Sequence, residues 1–179
     1  MKKLTMPKMA LLLMLVSALF LPRFVMAQES LIKESDEAKA SFQKADPSMK
    51  NLFDNSYGYA IFPNVGKGAA GVGGAAGKGA VYEKGKAVGT AELVQVTVGA
   101  QAGGQAYREV IFFENKAALE RFQGSKYEFS AQTSAIAVKS GASANANYRE
   151  GVVVFTQEKG GLMLEASLGG QKFTYKPLK

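Results

Sequence analysis

The sequence predicts an α+β fold: a strongly curled, mostly antiparallel, glycine-rich β-sheet or barrel, with two N-terminal helices and one inserted helix. Three observations carry this reading. Segments between Tyr57 and Tyr175 repeatedly alternate side chains at the period of a strand. Thirteen of the 20 glycines fall between Gly58 and Gly104, where small residues let backbones approach closely. Helical spacing with capping residues appears before this region and once inside it. Many short strands of this kind favour a closed or curled sheet over a flat one.

In chain order, Lys2, Lys3 and Lys8 lead into a 12-residue stretch, Ala10 to Leu21, interrupted only by Ser17. Pro22 ends the apolar run, and Val25-Met26-Ala27 suits a cut after Ala27. This is the pattern of a secretory signal peptide, residues 1–27, followed by one domain, residues 28–179. The stretch is shorter than the roughly 20 residues a spanning helix needs. With no Cys to carry a lipid, a lipoprotein anchor is excluded. The expected setting is outside the cytoplasm, in the periplasm.

Residues 30–45 read as an amphipathic helix with Leu31, Ile32, Ala38, Phe42 and Ala45 on one broad face. Asp46-Pro47 ends it and starts a second, short helix carrying Met49, Leu52 and Phe53, with Asp46 as cap and Pro47 at its first position. Tyr57 to Phe62 is a β-prone run stopped by Pro63. The Gly/Ala/Val run from Gly66 to Gly79 holds no Ser, so it reads as tightly packed strands and not as a flexible linker. Strand, turn and strand follow at Ala80–Glu83, Lys84-Gly85-Lys86 and Ala87-Val88. In the alternating segment Glu92 to Ala102, Val94, Val96 and Val98 point one way and Leu93, Gln95 and Thr97 the other. Tyr107 to Phe113 is another strand. Asn115 caps a helix holding Ala118, Leu119 and Phe122, which Gly124 closes. Tyr127 to Val138 reads as one alternating strand, and Gly141 to Asn147 as a loop. Val152–Thr156, Leu162–Ser167 and Gln171–Tyr175 read as an antiparallel meander turned at glycine pairs.

Composition removes whole classes of chemistry. With no His and no Cys there is no Ser-His-Asp triad, no thiolate nucleophile, no His- or Cys-ligated metal and no disulfide. No cofactor or metal site is expected. The net charge of +7 is mostly leader: residues 28–179 carry 18 basic and 15 acidic side chains, so nucleic acid is not an expected partner. A chain of about 150 residues buries about 68–70% of its unfolded surface, enough to fold on its core alone. Gly66-Lys67-Gly68-Ala69-Ala70-Gly71 matches a dinucleotide-binding fingerprint, but the residues that follow form helix poorly, so strand packing explains it better. Glu83, Glu92, Glu109, Glu150, Glu158 and Glu165 have no paired spacing and read as surface charge.

Lys67, Lys78, Lys84 and Lys86 cluster around the glycine-rich turns. Turn lysines are commonly just solvated. As a functional set they suit an anionic ligand such as a lipid head group, each worth about 1 kcal/mol near an anionic surface.

Taken in order, Gly58-Tyr59-Ala60-Ile61-Phe62-Pro63, Gly71-Val72-Gly73-Gly74, Gly77-Lys78-Gly79, Gly99 to Gln105, Val110-Ile111-Phe112-Phe113, Gly160-Gly161-Leu162 and Leu168-Gly169-Gly170 resemble the SYLF domain, formerly a domain of unknown function. The resemblance spans residues 30–176. It implies binding of acidic phospholipids or a membrane surface and no enzyme activity. Eukaryotic members bind phosphoinositides, and some bundle actin; bacterial members are usually exported. Many members carry a Trp in the segment matching Lys86 to Glu92, and this chain has none, which implies weaker anchoring at the head-group level.

The leading expectation is an exported, non-enzymatic phospholipid-binding domain whose lysines meet head-group phosphate, with an apolar surface or the curled-sheet interior holding acyl chains. The alternative is a self-associating or partner-binding protein of the cell envelope, pairing through exposed Gln/Thr/Ser strand faces. An enzyme using carboxylates or Tyr requires a deep cleft with two convergent acids.

Overall fold

The structure is a computed structural model that describes residues 6–70, 72–97, 105–124, 127–130, 133–159, 166–167 and 170–178. Three helices, α1 (Met6–Ala45), α2 (Met49–Asn55) and α3 (Lys116–Gln123), accompany nine strands among the described residues. The strands are β1 (Gly58–Ala70), β2 (Val72–Glu83), β3 (Lys86–Thr97), β4 (Gln105–Phe113), β5 (Tyr127–Glu128), β6 (Ser134–Ala137), β7 (Val152–Glu158), β8 (Ala166–Ser167) and β9 (Gln171–Pro177). They form one sheet in the order β5-β9-β3-β2-β1-β4-β7-β6-β8, antiparallel except for β6 beside β7.

The connectivity forces the curl. In a flat sheet β5 and β6 would lie seven strand spacings apart, roughly 34 Å. Glu128 and Ser134 are six residues apart, and six extended residues reach about 20 Å at most. The two ends of the sheet must therefore bend toward each other, giving an open half-barrel. The expected α+β class and strongly curled sheet are what the structure contains.

Two cores line the two faces. Inside the curl, Phe62, Phe113, Phe122, Phe129 and Phe173 are buried together, with ring centroids 4.9–5.7 Å apart. Here α3 closes one end with Ala118, Leu119 and Phe122. Its cap is the expected one: Asn115 Oδ1 accepts from Ala118 N at 3.0 Å, and Gly124 N donates to Glu120 O at 3.0 Å. On the convex face, Ala38 and Phe42 of α1 and Met49 and Phe53 of α2 cover Tyr59, Tyr82, Phe112 and Phe155.

Several expectations need correction. The first helix starts at Met6, because the apolar residues 10–21 are themselves mostly good helix formers and the helix runs straight on through residues 30–45. The second helix starts at Met49, since Asp46 accepts from Ser48 N at 3.1 Å and holds residues 46–48 in a turn. Pro63 does not stop β1. Both ladders of β1 shift register around it, between Ile61 and Asn64 against β2 and between Phe62 and Val65 against β4. A bulge is where a strand tolerates a residue with no N–H. The Lys84-Gly85 turn is as expected, with φ of 47° and 77°, the two-residue form that fits strand twist. Beyond it one strand runs on to Thr97, and residues 98–104 lie outside the described residues.

In β3 the valine side is not the buried one. Leu93 and Gln95 are 1% and 6% exposed, whereas Val94 is 51% exposed, because α1 covers β1 and β2 but not β3. The segment Tyr127 to Val138 is two short strands at opposite ends of the sheet. The C-terminal strands form no meander, since β7 pairs with β4, β8 with β6, and β9 with β3. Residues 160–165 lie outside the described residues. Glu109 is no surface charge: it is fully buried inside the curl, its Oε2 accepting from Gln171 Nε2 at 3.1 Å.

Candidate functional site

The bulge at Pro63 organises the convex surface beside α1. It leaves Asn64 exposed, directly across from Lys78 of β2. Lys159, just after β7, donates from Nζ to Asn64 Oδ1, and Asn64 Nδ2 donates to Glu34 Oε2 of α1 at 3.2 Å. Arg108 of β4 donates to Gln157 Oε1 at 3.4 Å, and its charge reaches Lys159. Lys159 thus bonds Asn64 directly, Lys78 lies across from it on β2, and Arg108 acts on the charge of Lys159, with Glu34 as the acid among them.

The cluster is under electrostatic load. Desolvation first, and Arg108 second, hold the Lys159 ammonium below its usual pKa, against the pull of Glu34. A counter-anion would relieve this strain. On the other side of Lys78 stands Glu92, whose carboxyl is held below the usual range first by its hydrogen bond to Lys176, 3.0 Å away, and further by Lys78. Val94 lies on the same bare face, across from Ala76 and Lys172.

A cleft of about 350 Å³ opens beside Lys78, between residues 27–34 of α1 and the bulge. Ala27, Leu31 and Pro63 give it apolar walls, and Ser30, Glu34, Asn64 and Lys78 give it a polar rim. The arrangement offers a charged group on one side and a greasy slot on the other.

The four lysines singled out in the sequence do not form one cluster. Lys78 joins the group at Asn64. Lys84 and Lys86 lie six and more residues along the hairpin, about 20 Å away at the rise of a strand. Lys84 Nζ sits 5.3 Å above the Tyr57 ring, and both hairpin lysines are exposed. The backbone of Lys67 lies in β1 opposite Ala75. Arg108 and Lys159 do not stand out in the sequence, since only the β4–β7 register brings them near each other and only the fold brings Lys159 to Asn64.

Two other expectations meet the geometry here. Among the described residues the inside of the curl holds a cluster of aromatic rings, Phe62, Phe113, Phe122, Phe129 and Phe173. On the Gln/Thr face of β3 Gln95 is buried, and the Thr97 side chain and residues 98–104 lie outside the described residues.

Residues 94–177 match a family model described as Ysc84, Las17-binding protein actin regulator. The chain is also similar to Beta cell expansion factor A of Aeromonas veronii, 32% identical over 149 residues, which is 78% of this chain and 53% of the relative. The chain therefore spans about half the length of the curated relative it matches. The family match runs from β3 through β9 and includes Arg108 and Lys159. Through this match the chain belongs to the SYLF family, the Ysc84 domains, known in general for lipid binding.

Proposed function

We propose that this protein is an exported, non-enzymatic domain that binds acidic phospholipid at a membrane surface, with Lys78, Arg108 and Lys159 on head-group phosphate. The observation that carries the proposal is Lys159 bound to Asn64 with Lys78 across from it and Arg108 acting on Lys159, beside the apolar cleft under Leu31 and Pro63. Three cations at about 1 kcal/mol each give about 3 kcal/mol, a useful but salt-sensitive attraction. Lys84 and Lys86 at the hairpin tip supply a second contact, and Lys67 on β1 belongs to the same basic strand pair. Acyl chains lie against the cleft walls and the bare face around Val94.

The proposed setting is outside the cytoplasm, reached through the leader pattern of residues 1–27. Cleavage after Ala27 removes one wall residue of the cleft and opens it further. The periplasmic face of a membrane is the expected place of action. The absence of His and Cys from the sequence supports a binding role over nucleophilic catalysis.

The test is co-sedimentation of the exported protein, whose first residue is expected to be Gln28, with phosphatidylcholine vesicles and with phosphatidylglycerol-rich vesicles. Binding to the anionic vesicles is expected at low salt and is expected to fall steeply near 0.5 M salt, where the Debye length shrinks to about 4 Å. Equal binding to both vesicle types, or none to either, contradicts the proposal.

A further inference from the structure

We infer that the cleft at the seam of the half-barrel is a second binding site, for a small acidic saccharide: a sugar ring bearing a carboxylate or a phosphate. The inference is independent of the lipid surface, since the cleft and that surface share no lining residue.

The cleft lies where the two ends of the sheet approach, and its volume is about 1120 Å³. Val152 and Val154 form an apolar floor, and Arg121, Tyr127 and Arg149 stand on the rim. The rim is rigidly built. Arg149 and Val152 exchange both backbone hydrogen bonds, at 2.9 and 3.0 Å, across a two-residue turn. Glu150 and Gly151 take φ of 51° and 79° there, and a left-handed non-glycine residue is held only where its surroundings impose it. Arg121 imposes it from α3 by donating from Nη2 to Glu150 O, and a side chain on Gly151 would come within 3.0 Å of Ala118.

This construction brings two guanidinium groups to one edge. Most of the Arg121 donors remain uncommitted, and the Arg149 side chain has no hydrogen-bond or ion-pair partner among the described residues. Planar guanidinium forks suit a carboxylate or phosphate. Of the two lining carboxylates, Glu128 is tied to Lys172 at 3.6 Å, leaving Glu150 as an acceptor for hydroxyls. The Tyr127 hydroxyl is within the electrostatic reach of both Arg121 and Glu150. Burial raises its pKa, so it stays protonated as a donor at neutral pH.

The rest of the wall suits a polyol. Ser130 and Thr133 hold their hydroxyls 3.0 Å apart, and Asn145 and Asn147 also line the cleft, with Asn147 Nδ2 donating to Asn145 O at 3.3 Å. Alternating donors and acceptors around a half-buried tyrosine ring are the chemistry that sugar hydroxyls and a sugar's C–H face require. The volume is far larger than a bare phosphate needs.

The experiment is an NMR titration of the full chain with four probes: glucuronate, glucose 6-phosphate, glucose and inorganic phosphate. The two acidic sugars are expected to bind at least about tenfold more tightly than glucose or phosphate, the size of one charge-assisted hydrogen-bond pair. Arg149→Gln, at an exposed position, and Tyr127→Phe are each expected to weaken that binding about tenfold while leaving the circular dichroism unchanged. Lys78→Glu should leave it untouched. No binding of either acidic sugar, or unchanged affinity in a folded Arg149→Gln protein, overturns the site. Inorganic phosphate binding as tightly as glucose 6-phosphate overturns the saccharide assignment.

Discussion

Asp46 is the residue on which the N-terminal helices depend. Its carboxylate accepts from Ser48 N, Ser48 Oγ, Gly141 N at 3.1 Å and Ser143 N at 2.8 Å. These bonds tie the α1–α2 junction to the loop after β6, 95 and more residues away. Burial alone would raise its pKa, but the donors from Ser48, Ser143 and Gly141 outweigh it and bring the value down from 3.8 to about 2. A depressed carboxyl stabilises the fold fully above 3.8, and that contribution is lost as the pH falls toward about 2. Asp46→Asn is expected to cost about 2 kcal/mol at pH 7, as for hydrogen bonds to a charged acceptor. Urea unfolding of both proteins at pH 7 and pH 2 checks this. The gap between their midpoints should narrow at the lower pH, and a constant gap would show that the charge plays no part.

At the scale of elements, the glycine-rich strands pack in some places and leave space in others. A Cβ on Gly79 would lie 2.4 Å from Ile61 O and 2.7 Å from Phe62 Cδ1, whereas one on Gly66 would meet nothing within 4 Å. Gly79→Ala is therefore expected to cost about 1–3 kcal/mol, and Gly66→Ala less than about 0.5. Thermal unfolding separates the two, and equal effects would mean that the run is merely a spacer. That the run forms strands was legible in the sequence, as were the Asn115 cap, the Lys84-Gly85 turn and the helical face of Ala38 and Phe42. These are local signals, carried by neighbours a few residues apart. What was not legible depends on pairing at long range. Nothing near Tyr127 reveals that its strand ends after two residues on β9 and resumes on β7. Nothing near Glu109 reveals that Gln171 meets it inside the curl. The same holds for the candidate site. Lys78 stands out in its glycine-rich setting, but Arg108 and Lys159 look ordinary until the sheet register pairs β4 with β7 and the bulge at Pro63 presents Asn64 to Lys159.

At the scale of the molecule, helix, sheet and charge converge at one rim. The α1 helix crosses the convex face at Leu31 and Glu34, where Lys78 and Lys159 meet Asn64 and the cleft opens. The sheet beyond α1 is bare around Val94, Lys172 and Lys176. A membrane contact centred here uses the face that the two helices leave uncovered. The most direct test compares two double charge reversals in the same vesicle assay: Lys78→Glu with Lys159→Glu, and Lys84→Glu with Lys86→Glu. At about 1 kcal/mol per charge, four units of charge change amount to about 4 kcal/mol for either pair if it lies fully in the contact. The first pair is expected to abolish binding to anionic vesicles and the second to weaken it only in part. If the first pair binds like the unaltered protein, the cluster at Asn64 is not the lipid contact and the account fails.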